Sequence, residues 1–156
     1  MNSELNAQRH AARKILWAWG NTLNRIERLE AYRRAFELFA EDARETLHAQ
    51  SLSGMPRGGR SRDISDIVVK VTERAQKYEQ EAQKVDAQIA DALRLRSTVE
   101  EFLDTLETDE RRIVEYRYAD GHHWHFIAMK MNMDMDHCRK IDRRVVDRFA
   151  KNVFIR

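Results

Sequence analysis

Apolar residues recur along this chain at spacings of three and four, the period of a helix with one buried stripe rather than of a strand. The segment Glu4–Trp19 reads as a helix carrying Ile15, Leu16 and Trp19 on one side, ended or bent at Gly20-Asn21. A second run, Leu29, Tyr32, Phe36, Phe39, Ala43 and Thr46, has the alternating spacing of a coiled-coil seam. The longest stripe passes through Ile64, Ile67, Val71, Ala75, Tyr78, Ala82, Val85, Ile89, Ala92, Val99, Leu103 and Leu106, with Arg96 the one charged residue at a seam position. Two successive spacings of four around Val71 relax the supercoil locally. So narrow a stripe needs a partner helix. Either the earlier seam folds back to supply it or a second copy of the chain does. Residues 50–62 contain SLSGMPRGGRSR, with three glycines and the only proline, and predict a loop. The expected fold is therefore all-α: a long antiparallel helical hairpin over residues 1–106, with its loop at 50–62, and a separate helical unit at 107–156.

The pattern changes after Leu106. Thr108 is the expected N-cap of a short helix, with Asp109 and Glu110 in the first turn, where the helix dipole favours acids. That helix carries Ile113, Val114, Arg117 and Tyr118 and stops at Asp120-Gly121. The following segment places Trp124, Ile127, Ala128 and Met131 on one face. Asn132 comes next, a residue that tolerates the left-handed conformation. Asp134 then caps a last helix whose buried face is expected to be Cys138, Ile141, Val145 and Phe149. A short helix, a tight turn and an amphipathic basic helix make a helix-turn-helix.

Composition narrows the functional classes. Charged residues make up 35% of the 156 and hydrophobic ones 42%, which suits solvated helices, and the net charge of +2 does not by itself announce nucleic acid. The distribution does more. From Met135 to Arg156 seven basic residues face three acidic ones, Asp136, Asp142 and Asp147, a local excess able to attract phosphate. No run approaches a membrane span, and the first residues lack the apolar core of a secretory signal, so the expected location is the cytoplasm. The single cysteine, Cys138, excludes an internal disulfide and a multi-cysteine zinc site; it reads as an inert core thiol. His122, His123 and His125 crowd one turn but point to different sides of a helix and have no companion carboxylate pattern, so no metal is expected. Met129, Met131, Met133 and Met135 scatter over several faces, Met131 filling core and the others packing the turn. With no phosphate loop and no nucleophile beside a base, neither enzymatic activity nor a cofactor is expected.

The stretch LDTLETDERRIVEYRYADGHHWHFIAMKMNMDMDHCRKIDRRVVDRF resembles region 4 of bacterial sigma factors, which reads the promoter −35 element. It is more closely similar to the small phage-encoded sigma-like regulators of the RinA and ArpU kind, which control late gene transcription. The likeness runs through Leu103 and Leu106, Glu110-Arg111, Ile113-Val114, Arg117-Tyr118, Gly121, Trp124, Ile127-Ala128 and Arg143-Arg144, and extends to the upstream SGMPRGG loop. The resemblance makes the last helix a recognition helix. It presents Met135, Asp136, His137, Arg139, Lys140, Arg143 and Arg144 to double-stranded DNA, with Arg139 or Arg143 reading guanine and Lys140 and Arg144 holding phosphate. It also implies RNA polymerase as a partner, while the seam of the hairpin leaves a homodimer through the coiled coil as one of its uses. Departures are His123 where a capping Ser or Thr is usual, Phe126 where a glutamate is common, Asn132 for the turn glycine and Asp134 for the turn serine. Phe126 favours a contact within the chain or across a dimer. The alternative reading is a coiled-coil interaction module, docking on polymerase or a packaging component, that does not read DNA; Asp134, Asp136 and Asp142 argue for it.

Overall fold

A computed structural model of the chain describes residues 2–52 and 61–154, which form helices and short connections with no strand among them. The helices are α1 (Asn2–Gly20), α2 (Thr22–Leu52), α3 (Ser61–Leu103), α4 (Thr108–Val114), α5 (Trp124–Met131) and α6 (Met135–Phe154), with a π-helical turn at Glu115–Ala119 between α4 and α5. The all-α class is as the periodicity indicates. Most of the expected loop, residues 53–60, lies outside the described residues. Residues 50–52 and 61–62, assigned to the loop from sequence, are helical, because every helix breaker in that stretch falls between Gly54 and Gly59.

Packing divides the chain into two units, one joining the chain up to Arg25 to the chain from Ala92 onward, the other Ile26–Asp91. The sequence division at 106 and 107 follows the motif instead; it misses that α1 packs on α6 and on the π-helical turn.

In the Ile26–Asp91 unit, α2 and α3 run in opposite directions. Arg33 Nε meets Asp86 Oδ1 at 2.8 Å, Phe36 and Phe39 meet the Tyr78 ring, and Arg44 pairs with Glu79. The α3 stripe holds its expected phase, with Ala75, Ala82 and Val85 buried and Val71, Tyr78 and Ile89 half-buried, although Ile67 is exposed. The α2 stripe is shifted. Leu29, Ala40 and Ala43 are buried and Ile26, Phe36 and Leu47 half-buried, whereas Tyr32 is 58% and Phe39 51% exposed and Thr46 faces solvent. Two heptad ladders share Leu29, Phe36 and Ala43. The fold uses the one completed by Ile26, Arg33, Ala40 and Leu47, not the bulkier Tyr32, Phe39 and Thr46. Asp86 pairs with Arg33 at that position, and Ala40 is buried.

The other unit is built around Leu16 and Ala12 of α1, Val99, Phe102 and Leu103 of α3, Ile113 and Val114 of α4, Tyr118, Ile127 of α5, and the Cys138, Ile141, Val145, Val146, Phe149 and Ala150 side of α6. Edge-to-face contact between Trp17 and Tyr118 (5.2 Å) and the Phe102–Phe149 pair (4.9 Å) add about 0.5–1.5 kcal/mol each beyond their burial. The first residue of α4 is Thr108, so the expected cap shifts by one to Glu107, whose amide donates to Glu110 Oε2 at 3.2 Å. That same oxygen accepts from Arg148 at 2.9 Å, tying α4 to α6.

Gly20 is where α1 comes closest to the π-helical turn: a Cβ there runs into the Tyr118 carbonyl and the Ala119 backbone. Backbone cannot rotate aside as a side chain does. Gly20→Ala is therefore expected to cost about 1–3 kcal/mol, measured as a lowered urea midpoint by circular dichroism. An unchanged midpoint would contradict this contact.

Candidate nucleic-acid interface

The geometry of the site begins at the turn between α5 and α6. Asn132 adopts the left-handed conformation (φ 52°, ψ 43°), and its amide closes α5 onto the Ala128 and Met129 carbonyls. An asparagine can do this at small cost where a β-branched residue could not. Asp134 stands just before α6, its carbonyl accepting from the Cys138 amide at 3.0 Å. His123 occupies the α5 cap position with no side-chain cap bond, as its chemistry leads one to expect.

The buried side of α6 is wider than one stripe. Cys138, Ile141, Val145 and Phe149 are buried as expected, but so are Asp142, Val146 and Ala150, because α1 covers a second side of the helix. Burial pushes the Cys138 thiol up, as suits an inert core residue. Asp142 corrects the sequence reading most. In the sequence it enters the charge balance of residues 135–156 and argues for the reading without DNA, yet it is 2% exposed. Its Oδ1 accepts from the Tyr118 hydroxyl at 2.9 Å, and its Oδ2 lies 3.4 Å from Arg13 Nη2. Burial raises the Asp142 carboxyl above the usual range, while the Tyr118 bond and the Arg13 charge pull it back. Burial, together with the neighbouring carboxylate, pushes the Tyr118 phenol strongly upward, so it remains a donor. Asp147 is also turned toward α1: Arg9 grips it with Nε at 2.5 Å and Nη2 at 2.9 Å.

Two of the three acids of α6 thus point at arginines of α1, and the outward face is left basic. Asp136, His137, Arg139, Lys140, Arg143 and Arg144 are exposed and Met135 is half-buried. Asp136 lies 3.6 Å from Arg139, an exposed pair worth little. Lys140, Arg143 and Arg144 have no ion-pair partner among the described residues.

Beside this face is a cleft of about 210 Å³ lined by Arg13, Trp17, Arg117, Tyr118, Trp124, Arg139, Asp142 and Arg143. Arg117 lies over both tryptophan rings, 5.3 Å from the Trp17 centroid and 4.9 Å from that of Trp124, and donates to the His122 carbonyl at 2.9 Å. It is held in place by cation–π attraction on two sides. Arg13 and Trp17 were not singled out as site residues, and nothing local to α1 announces that it packs on α6. The spacing of Arg9 and Arg13, one turn apart and matched to acids on α6, is the only signal the sequence held.

Phe126 is half-buried and finds its contact within the chain, 4.0 Å from the His122 ring and under Lys130 at 5.5 Å. Met131 and Met133 pack on the core, while Met129 is exposed. Among the described residues no three His, Cys, Asp or Glu side chains converge as metal ligands do, and no helix is long and apolar enough to cross a membrane.

A family model described as protein of unknown function (DUF722) matches residues 60–151, a span that takes in α3, α4, α5 and most of α6. No curated protein and no solved structure matches the chain.

The Arg9 guanidinium holds the Asp147 carboxyl below the usual carboxylate range. A lowered folded value means that the pair stabilises the fold above the ordinary pKa of about 3.9, and that this contribution fades as the pH drops through the folded value. Wild type is expected to exceed Asp147→Asn in stability at pH 7, with the gap narrowing below about pH 4. Urea unfolding at pH 7 and pH 3 measures it; a gap that widens in acid would show that the pair does not form.

Proposed function

We propose that this chain, which belongs to the DUF722 family, is a sequence-specific DNA-binding transcription regulator that reads duplex DNA with the outward face of α6. The single observation that carries the reading is the sorting of charge on that helix: Asp142 and Asp147 are engaged by Arg13 and Arg9, and four basic side chains, Arg139, Lys140, Arg143 and Arg144, are left facing out against Asp136 alone. A short helix, a left-handed Asn132 and a second helix with such a face have the form of a helix-turn-helix, whose second helix enters the major groove. The resemblance to sigma region 4 and to phage regulators of the RinA and ArpU kind supports promoters as the target and RNA polymerase as a partner.

The placement of the side chains suggests a division of labour different from the one expected from sequence. Arg139 and Arg143 stand at the edge of the face, on the wall of the cleft, where they suit phosphate. Lys140 and Arg144, with Asp136 and His137, occupy the middle and suit base edges.

One observation favours the second reading, a protein-docking module. Tyr32 and Phe39, on one side of α2, and Leu38, on another, are each more than half exposed, apolar surface suited to a partner protein or a second copy. Such docking would use the other unit, so the second reading displaces the first only if α6 does not bind duplex DNA.

The test is fluorescence anisotropy with pooled genomic duplex fragments over a salt series. Wild type is expected to bind and to weaken steeply with salt. Lys140→Ala/Arg144→Ala should weaken binding by at least about tenfold and flatten the preference among fragments. No binding at low salt, or equal binding by the variant, would overturn the assignment.

A further inference from the structure

We infer that the cleft between α1, the π-helical turn, α5 and α6 seats one phosphodiester group of the bound duplex, with Arg13 of the N-terminal helix and Arg117 of the turn as ligands alongside Arg139 and Arg143. This rests on the reading of α6 as the DNA-contacting helix and extends the contact surface to a helix more than a hundred residues away in sequence.

Four guanidinium groups converge on the cleft against one carboxylate, Asp142, whose two oxygens are already directed at Tyr118 and Arg13. So lopsided a concavity attracts an anion, and guanidinium forks favour the oxygens of a phosphate. Size restricts the anion. At about 210 Å³ the cleft falls below the roughly 300–1,000 Å³ of small-molecule pockets, so it admits a single tetrahedral group rather than a nucleotide. Arg117 already lies over both tryptophan rings, which leaves the cleft to recognise charge rather than a stacked base. Its position between those rings and its bond to the His122 carbonyl fix the guanidinium before any ligand arrives, which lowers the entropy lost on binding.

A phosphate group could reach the cleft from the DNA backbone or from free phosphate. The backbone is the source the geometry favours. Arg139 and Arg143 belong both to the cleft wall and to the exposed face of α6, so a duplex lying on that face brings its backbone to the cleft mouth.

The experiment is phosphate-ethylation interference on a duplex fragment that the wild-type chain retains, comparing wild type with Arg13→Gln/Asp142→Asn. The double variant removes both charges of the pair and leaves no buried carboxylate unpaired. Arg13→Lys, which keeps the pair but loses the fork, is the second variant. In wild type, ethylation of at least one phosphate beside the recognised bases is expected to block binding. In the double variant ethylation of that one phosphate should cost less binding while its neighbours matter as before, with the log–log salt slope little changed, because the two charges removed cancel and Arg117, Arg139 and Arg143 remain. In Arg13→Lys the same phosphate should matter less.

An identical interference pattern in wild type and both variants would overturn the proposal and leave the reading of α6 standing. A wild type that retains no duplex would remove both. Orthophosphate titrated against Trp17 and Trp124 fluorescence separates the sources. No response beyond that to sulfate at equal ionic strength accompanies a backbone seat; saturation by free phosphate with an unaltered interference pattern would replace the backbone by a soluble anion.

Discussion

A buried carboxylate on α6 sets the arrangement of the unit that carries the candidate interface. Asp142 is held by a phenol from the π-helical turn and a guanidinium from α1, so one side chain fixes α6 against two other elements. Removing one partner leaves a buried carboxylate short of a hydrogen bond, which typically costs about 1–3 kcal/mol. The contact agrees with the facing that the apolar side of α6, Cys138, Ile141, Val145 and Phe149, requires, and Asp147, near the far end, is turned toward α1 as well.

The location of Tyr118 follows from the same requirement. Widening the backbone to π-helical geometry at Glu115–Ala119 puts Tyr118 inward and Arg117 between the two tryptophans. Such insertions in helices are often found at functional sites, where they re-aim a side chain. Gly20 completes the arrangement by letting α1 lie directly on this turn. The N-terminal helix, which the motif alone would leave out, is therefore part of the DNA-facing unit as proposed.

Helix positions were legible in the sequence because the 3.6-residue period is written in the apolar residues themselves, as in Trp124, Ile127, Ala128 and Met131. Asn132 was legible as a turn because few residues tolerate its conformation. The phase of α2 was not, since Leu29, Phe36 and Ala43 belong equally to two heptad ladders, and the ion pair of Arg33 with Asp86 of α3 is not announced by either. Charge was misread for a similar reason. Asp142 and Asp147 look like solvent acids until α1 is placed, and no local pattern places it. The face Asp136, His137, Arg139, Lys140, Arg143 and Arg144 could be listed from periodicity, whereas the cleft formed with Arg13 and Arg117 depends on contacts between residues far apart in the chain.

The most direct measurement of the central claim, that the outward face of α6 meets DNA, is photo-crosslinking of the full chain to a duplex fragment it retains, followed by peptide mass spectrometry. The account predicts crosslinks concentrated between Met135 and Arg144. Crosslinks confined to residues 26–91, or none despite retention of the duplex, would contradict it.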